Sequence, residues 1–468
     1  MSRNFYISLL ALLLSGGYLQ AQEQPATNAF SLEECVEYAL NHQADVKNAE
    51  LSVKIAEARV REISGLGFPQ ISAEGNLMVN PVIPQTIPSS ALGGMGAGGA
   101  DQPATGEEQA GPNINELFNP KYKSDVNVTA NQLIFDGTFF LGLKAAQVYK
   151  DLASKQLTQS KVERVAAVAS AYYTVLVTQE NLKILEQNYT TIEKLYTETK
   201  AMYEAGMVEQ IEQDRIEVTF NNIKVQKERV EQMFVVTKNL LKLQIGMDQE
   251  DELTLSEDLY QLGDKIVSSD NNEVNRRIEL DILDTQYRLN DMERKSHMLG
   301  YAPKVFAFAS AGYQGFGRNP MTFEADFSEF SNSDNWFGFA VVGATIKWTP
   351  FDGLMMYRKA QQSKLASLQI ENSRALLNQS IEVERSQYQI AYETNLKTLR
   401  IQRKNMEVAK RVYDIAQVKF KEGVGSSLEV TNAEQAYTQA SNSYFAAIYD
   451  ALTAKVNLDK ANGVLYTE

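Results

Sequence analysis

A run of 65 residues from Phe139 to Tyr203 contains no proline, and it stops at Glu204-Ala205-Gly206. Gly137 and Gly142 lie either side of its start. Proline breaks or kinks a helix, so its absence permits one continuous rod, roughly 100 Å long at helical rise. That is several times the width of an ordinary domain. Leu185, Tyr189, Ile192, Tyr196 and Tyr203 recur at intervals of 4, 3, 4 and 7, with Thr199 in the skipped place. An average spacing near 3.5 lets such a seam follow a neighbouring helix. Upstream, Val162, Val165, Ala169, Tyr172, Val175 and Leu176 continue the stripe with small residues that permit close approach. A filament or linker coiled coil would satisfy this run alone; the flanking sequence argues against one.

The second half repeats the first. A run from about Met355 to Lys421 again lacks proline and ends in Phe420-Lys421-Glu422-Gly423. Phe135-Asp136-Gly137 stands before the first rod and Phe351-Asp352-Gly353 before the second. Gly65-Leu66-Gly67-Phe68-Pro69 is echoed by Leu299-Gly300-Tyr301-Ala302-Pro303. Three landmarks in the same order at similar offsets read as a tandem duplication.

Residues 1–21 have Arg3, an apolar core from Ile7 to Leu14, then Ser15-Gly16-Gly17 and Ala21. This predicts a secretory signal peptide cleaved near Ala21, too short to span a bilayer as a helix. No later stretch reaches 18 apolar residues. Cys35, the only cysteine, excludes an internal disulfide and a cysteine-built metal site, and it is expected to be buried on an amphipathic helix. His42 and His297 are the only histidines, far apart in the chain, and are expected to be surface or core residues rather than ligands. With 45 basic against 59 acidic side chains, net charge −14, nucleic acid and anionic membrane surfaces are disfavoured as partners.

Ser31-Leu32-Glu33-Glu34 has the spacing of a capping box and opens a helix that runs to about Ser64, with Asn41-His42 a possible interruption. After Pro69 the period changes to two. Ile71, Ala73, Gly75, Leu77 and Val79 alternate with Ser72, Glu74 and Asn76, and Val126, Val128 and Ala130 alternate with Asp125, Asn127, Thr129 and Asn131. In the second half Val305, Ala307, Ala309, Ala311 and Tyr313 share one face; so do Trp336, Ala340, Val342, Ala344, Ile346 and Trp348. Four strands, about 70–79, 124–134, 304–314 and 336–348, with aromatics at their ends suit a tilted membrane barrel, although a sheet with one wet face shows the same alternation. Four strands cannot close a barrel, so a membrane reading requires further subunits.

The loop from about Pro81 to Lys121 is rich in glycine but has no Gly-Lys-Ser/Thr, a poor nucleotide cradle. The loop from Gly315 to Asn335 is acidic and aromatic. Both are expected to be external. Gly246 to Asn272 reads as an acidic, irregular excursion. Asp281 and Asp284, one turn apart, have no third ligand and read as surface residues. Helices over about 208–243 and 427–458 return beside the two rods.

These residues resemble the TolC-like outer-membrane efflux protein family across essentially the whole mature chain. The resemblance rests on Ser31-Leu32-Glu33-Glu34 with Ala39-Leu40-Asn41, on Pro69 and Pro303 leading into strands, and on the two Phe-Asp-Gly triplets. It rests further on Tyr203-Glu204-Ala205-Gly206 and on the segment from Phe420 through Val430 to Ala433. It implies a mainly helical fold in two structural repeats, 22–245 and 273–468, joined by an irregular equatorial segment, 246–272. The long hairpins, about 138–243 and 353–460, would form a trimeric α-barrel. Each subunit would give four strands to a shared 12-stranded transmembrane β-barrel. The implied function is a passive outer-membrane channel and periplasmic tunnel of a tripartite efflux or type I export system. It would carry drugs, small molecules or polypeptides outward, with no catalysis and no cofactor or metal. Implied partners are two further copies, a periplasmic adaptor with its inner-membrane pump, and outer-membrane lipid.

Residue by residue, the resemblance implies adaptor contact at the turns Gly206, Met207, Val208 and Gly423, Val424, Gly425, Ser426, Ser427. It implies a periplasmic entrance constriction at Glu429 and Asn432, with one acidic ring where a two-carboxylate member has two. Tyr313, Trp336 and Trp348 would form a barrel aromatic belt. The alternative from another class is a soluble extracytoplasmic coiled-coil adaptor or structural protein without a barrel. An enzyme is disfavoured, because neither histidine has a base partner and no nucleophile motif is present.

Overall fold

The computed structural model describes residues 29–81, 122–268, 273–317 and 336–466. The predicted signal peptide and most of both external loops lie outside them. The chain forms two compact units. One contains the chain up to Glu50 with Gln156–Leu280 and Leu377–Glu468; the other contains Leu51–Lys155 and Asp281–Leu376.

In chain order the elements are β1 (Ala29–Phe30), α1 (Leu32–His42), α2 (Ala44–Gly65), β2 (Gln70–Val79), β3 (Tyr122–Phe135), α3 (Gly137–Glu204) and α4 (Gln210–Ile245). They continue with β4 (Thr254–Leu255), α5 (Leu259–Ser268), α6 (Ile278–Leu299), β5 (Lys304–Gly317), β6 (Trp336–Lys347), α7 (Met355–Lys421) and α8 (Ser427–Asn462). The two proline-free runs are single helices of 68 and 67 residues, α3 and α7, which supply residues to both units.

Each boundary has a local cause. Ser31 and Glu34 form the reciprocal capping box, Glu34 N–H donating to Ser31 Oγ and Ser31 N–H to Glu34 Oε2, worth about 1 kcal/mol. The expected interruption falls at Gln43, whose extended backbone separates α1 from α2. Its side-chain amide donates to the carbonyls of Leu243 and Gln244, the carbonyls that the end of α4 leaves unpaired. Gly246 caps that helix in the left-handed region at φ 76°. A Cβ there would meet Gln43 Cα and the carbonyl carbon of His42 at 3.1 Å. The Phe-Asp-Gly triplets are strand-to-helix joints. Asp136 Oδ1 accepts from the Thr138 N–H, and Asp352 Oδ2 from the Met356 N–H.

The first unit is held by an apolar core that includes Tyr172, Leu176, Ile192, Ile216, Leu241, Phe445 and Ile448. Cys35 lies fully buried in it, and burial pushes its thiol up to about 12. Tyr172 Oη donates to the Phe30 carbonyl, tying α3 to β1. Arg277, nearly buried, pairs with Glu279 at 2.7 Å and with Glu384.

The segment between the halves is a correction. Gly246–Asn272 was expected to be irregular, yet Thr254–Leu255 pairs in parallel with Ala29–Phe30 and Leu259–Ser268 is helical. Asp258 Oδ1 accepts from the N–H groups of Tyr260 and Gln261, and Leu259 and Ile266, seven residues apart, are buried. Fewer than three helical turns are too short to show a period against an acidic background, and β1 is remote in sequence.

In the second unit one antiparallel sheet has the order β2-β3-β5-β6. The register aligns Ile71, Ala73 and Gly75 with Ala130, Val128 and Val126. It aligns those with Ala309, Ala311 and Tyr313, and these in turn with Val342, Ala340 and Gly338. One face is therefore built of small and apolar residues across all four strands, because side chains alternate along each strand. On the other face Asn76 donates to Asp125 at 3.0 Å and Thr129 bonds Ser310 at 2.9 Å. Among the described residues no helix is long and apolar enough to cross a membrane.

Gly246→Ala combines a disfavoured φ with the clash against Gln43. It is expected to lower stability by about 1–3 kcal/mol, read as a fall in the thermal midpoint followed by circular dichroism.

Candidate functional site

Two helical hairpins end in turns of the same construction, both in the first unit. At the end of α3 the Gly206 N–H donates to Tyr203 O and the Met207 N–H to Met202 O. At the end of α7 the Gly423 N–H donates to Phe420 O and the Val424 N–H to Lys419 O. These paired bonds around a left-handed glycine, φ 73° and 70°, make both turns Schellman motifs. The residue after each glycine stands free: Met207 is 78% exposed and Val424 77%. Val208 is half-buried. Gly425 donates a second bond to Lys419 O, and a Cβ there would lie 2.9 Å from Lys419 Cβ.

Ser426 caps α8, its hydroxyl accepting from the Glu429 N–H. Ser427, grouped with the contact residues by sequence, is fully buried. Its N–H donates to Glu212 Oε2 at 2.8 Å, so it joins the start of α8 to the start of α4. Thr219 and Thr431, hydroxyls 3.1 Å apart, repeat that link. Hydrogen bonding from Ser427, aided by Arg215, holds the Glu212 carboxyl below its usual range despite partial burial. Glu429 and Asn432 are exposed and one turn apart on α8. The structure thus brings both turns, Glu429 and Asn432 to one end of the unit.

Sequence reasoning missed Glu212, which stands three residues after the N-cap Glu209, at capping-box spacing, yet reaches another helix. It also missed Glu434, nearly buried on α8. Its Oε1 accepts from the Thr438 hydroxyl, which in turn accepts from the Asn188 amide. Burial pushes this carboxyl above its usual range, the Thr438 bond offsetting part of the effect. Glu434 also borders a groove with Ile211, Val218, Val225, Leu428 and Thr431 between α4 and α8.

On the sheet, the Trp336 ring covers Gly315, where a Cβ would lie 2.9 Å from it, and Tyr313 is half-buried on the same face. Trp348, just past β6, is 64% exposed with Nε1 donating to Tyr301 O. His42 stacks on Tyr38 at 4.0 Å, and Asp284 pairs with Arg374 at 3.2 Å. Among the described residues no group of histidine, cysteine or carboxylate side chains could hold a metal ion.

The sequence model described as outer membrane efflux protein matches residues 35–243 and 301–464. Over 459 residues the chain is 24% identical to the toluene efflux pump outer membrane protein TtgC of Pseudomonas putida, covering 96% of this chain and 84% of that protein. The fold is similar to that of the Campylobacter jejuni CmeC outer membrane channel, with TM-score 0.67, 13% identity and coverage of 93% and 86%. It is similar also to the open state of the Neisseria gonorrhoeae MtrE outer membrane channel, with TM-score 0.66, 14% identity and coverage of 93% and 89%.

Glu434 gives the site a pH dependence. A carboxyl whose folded pKa is raised contributes stability that is full below the unfolded value, about 4.3, and is lost as pH rises through the folded value. Glu434→Gln is therefore expected to raise the thermal midpoint at pH 7 and to give no gain at pH 4, measured by paired melts.

Proposed function

Because the chain belongs to the outer membrane efflux protein family, we propose that three copies of it assemble into one outer-membrane channel, each giving four strands to a 12-stranded barrel. The protein is the outer-membrane channel and periplasmic tunnel component of a tripartite efflux system. The observation that carries the trimeric reading is the four-stranded sheet with one apolar face and two open edges. Among the described residues β2 and β6 each pair on one side only. In lipid every backbone group left unpaired costs several kcal/mol, so such a sheet is stable there only when other strands close it.

The dimensions agree. Trp336 and Trp348 share a face twelve residues apart, roughly 40 Å along a strand. At a tilt near 45° that spans roughly 28 Å, close to the height of an outer-membrane apolar band. Tyr313, Trp336 and Trp348 are placed in this reading at the interfaces. The opposite face, polar at Asn76, Asp125, Asn127, Thr129 and Ser310 and aromatic on β5 and β6 at Phe306, Phe308, Phe337 and Phe339, lines the lumen.

In the first unit the exposed Met207 and Val424 are the anchors for a periplasmic adaptor, which family membership implies along with an inner-membrane pump. Both rest on glycine turns that leave the side chain outward. Val208, Gly425 and Ser426 shape the same contact, while Ser427 holds the two turns together from inside. Glu429, in the first turn of α8, and Asn432 face the entrance. Three copies of Glu429 converging on an axis repel one another and favour water and cations, which opening relieves. The duct is passive, and energy comes from the pump.

Single-channel conductance of the detergent-extracted oligomer in a planar bilayer tests this. Discrete cation-preferring steps are expected, with the preference weakened in Glu429→Ala. Met207→Asp combined with Val424→Asp is expected to abolish adaptor capture while leaving the oligomer intact. Release of folded protein by osmotic shock alone, without detergent, would favour the soluble structural alternative instead.

A further inference from the structure

Along α7 the side chains packed into the first unit include Ile381, Tyr388, Leu399, Met406 and Tyr413, spaced 7, 11, 7 and 7 residues apart. Two residues after each of them comes another apolar residue: Val383, Ile390, Ile401, Val408 and Ile415. These are 66, 62, 60, 41 and 56% exposed, so the described residues leave them largely uncovered. α4 carries the same arrangement. Ile216, Ile223, Phe234 and Leu241 face the core at spacings of 7, 11 and 7. Val218, Val225, Val236 and Leu243, again two residues later, are 59, 64, 51 and 59% exposed, and Ile211 extends the exposed row by one heptad.

Successive residues on a helix are about 100° apart, so a shift of two places the second stripe roughly 200° from the first. Seen from the other side the angle is roughly 160°, which suits a helix touching two neighbours in a curved wall. The irregular spacing has a geometric reason. A heptad falls about 20° short of two full turns, and an 11-residue step overshoots three turns by a similar amount. One such step offsets the drift of one heptad and keeps the stripe closer to parallel with the helix axis.

The two helices that carry uncovered stripes end the row of helices in the first unit. α4 meets α3 through Phe220 and Tyr196, stacked at 5.4 Å. α3 meets α8 through Asn188 and Thr438, and α8 meets α7 through Tyr437 and Tyr413, stacked at 5.8 Å. α4 and α8 also touch near the turns, at Thr219 and Thr431; Ile211, Val218 and Val225 border the groove between the two helices and stay 49, 59 and 64% exposed there.

We propose that the exposed stripe of α7 in one copy packs antiparallel on the exposed stripe of α4 in the next. The register sets Ile415 against Ile211, Val408 against Val218, Ile401 against Val225, Ile390 against Val236 and Val383 against Leu243. Counting away from the turns, both stripes step 7, 7, 11 and 7, so all five pairs meet at once and the long steps coincide. Slipping the pair by one heptad sets a long step against a heptad and breaks the match. The contact is heterologous, between different faces of identical chains, and closes when the copies form a ring. It rests on the homotrimer proposed above and adds the residue-level seam that joins its subunits.

Disulfide trapping reads the register directly. Val225→Cys and Ile401→Cys chains, each with its own affinity tag, are co-expressed and oxidised in native membranes; Cys35 is buried and does not compete. A disulfide-linked dimer carrying both tags is expected, with a yield about tenfold above that of the heptad-shifted pair Val225→Cys and Val408→Cys. Ile211→Cys with Ile415→Cys is expected to behave as the first pair and guards against misfolding of one variant. Trapping at the shifted pair, or at neither pair in a protein that is trimeric by mass in detergent, overturns the register while leaving the trimer standing. A protein that is folded but monomeric by mass overturns the homotrimer and this seam together.

Discussion

A helix of 68 residues is stabilised along its whole length by bonds that reach only four residues, and those bonds carry no information about where the helix lies. Placement comes from the apolar stripe. In α3 that stripe includes Val168, Tyr172, Leu176, Ile192 and Leu195, all buried, and its periodicity decides which neighbours the helix can have. Propensity alone would leave such a helix marginal as an isolated rod. Everything else in the first unit depends on stripes of this kind meeting others, and the turns serve only to reverse the chain between them.

This dependence explains what was legible in the sequence. Long helices and alternating strands announce themselves by period, and the structure places β2 at Gln70–Val79 and α3 at Gly137–Glu204, close to expectation. The repeated Phe-Asp-Gly triplets were visible as landmarks, and the structure gives their reason: each aspartate turns a strand into a helix by accepting a backbone N–H. What escaped was nonlocal or short. The helix Leu259–Ser268 has too few turns to declare a period, and the pairing of Ala29–Phe30 with Thr254–Leu255 joins segments more than two hundred residues apart. Glu212 and Glu434 look like ordinary surface carboxylates in sequence; only the fold shows one reaching Ser427 and the other buried beside Thr438.

The sheet shows the same logic in a different solvent. In a core, an apolar face seeks another apolar face; here no described residue lies over the apolar face at Val342, which is 83% exposed. In hydrocarbon such a face needs no cover, whereas open strand edges do, because hydrocarbon offers no hydrogen bonds. Side chains and backbone thus make separate demands of the surroundings.

The two turns carry a further consequence. In most Schellman motifs the residue after the glycine packs back on the preceding helical turn and helps hold the cap. Met207 and Val424 forgo that contact, and their hairpins are closed by backbone bonds and by the buried link between Ser427 and Glu212. The chemistry displayed at the tip is therefore uncoupled from the folding of the hairpin behind it. Such a turn can exchange one exposed side chain for another while the helices that carry it stay as they are.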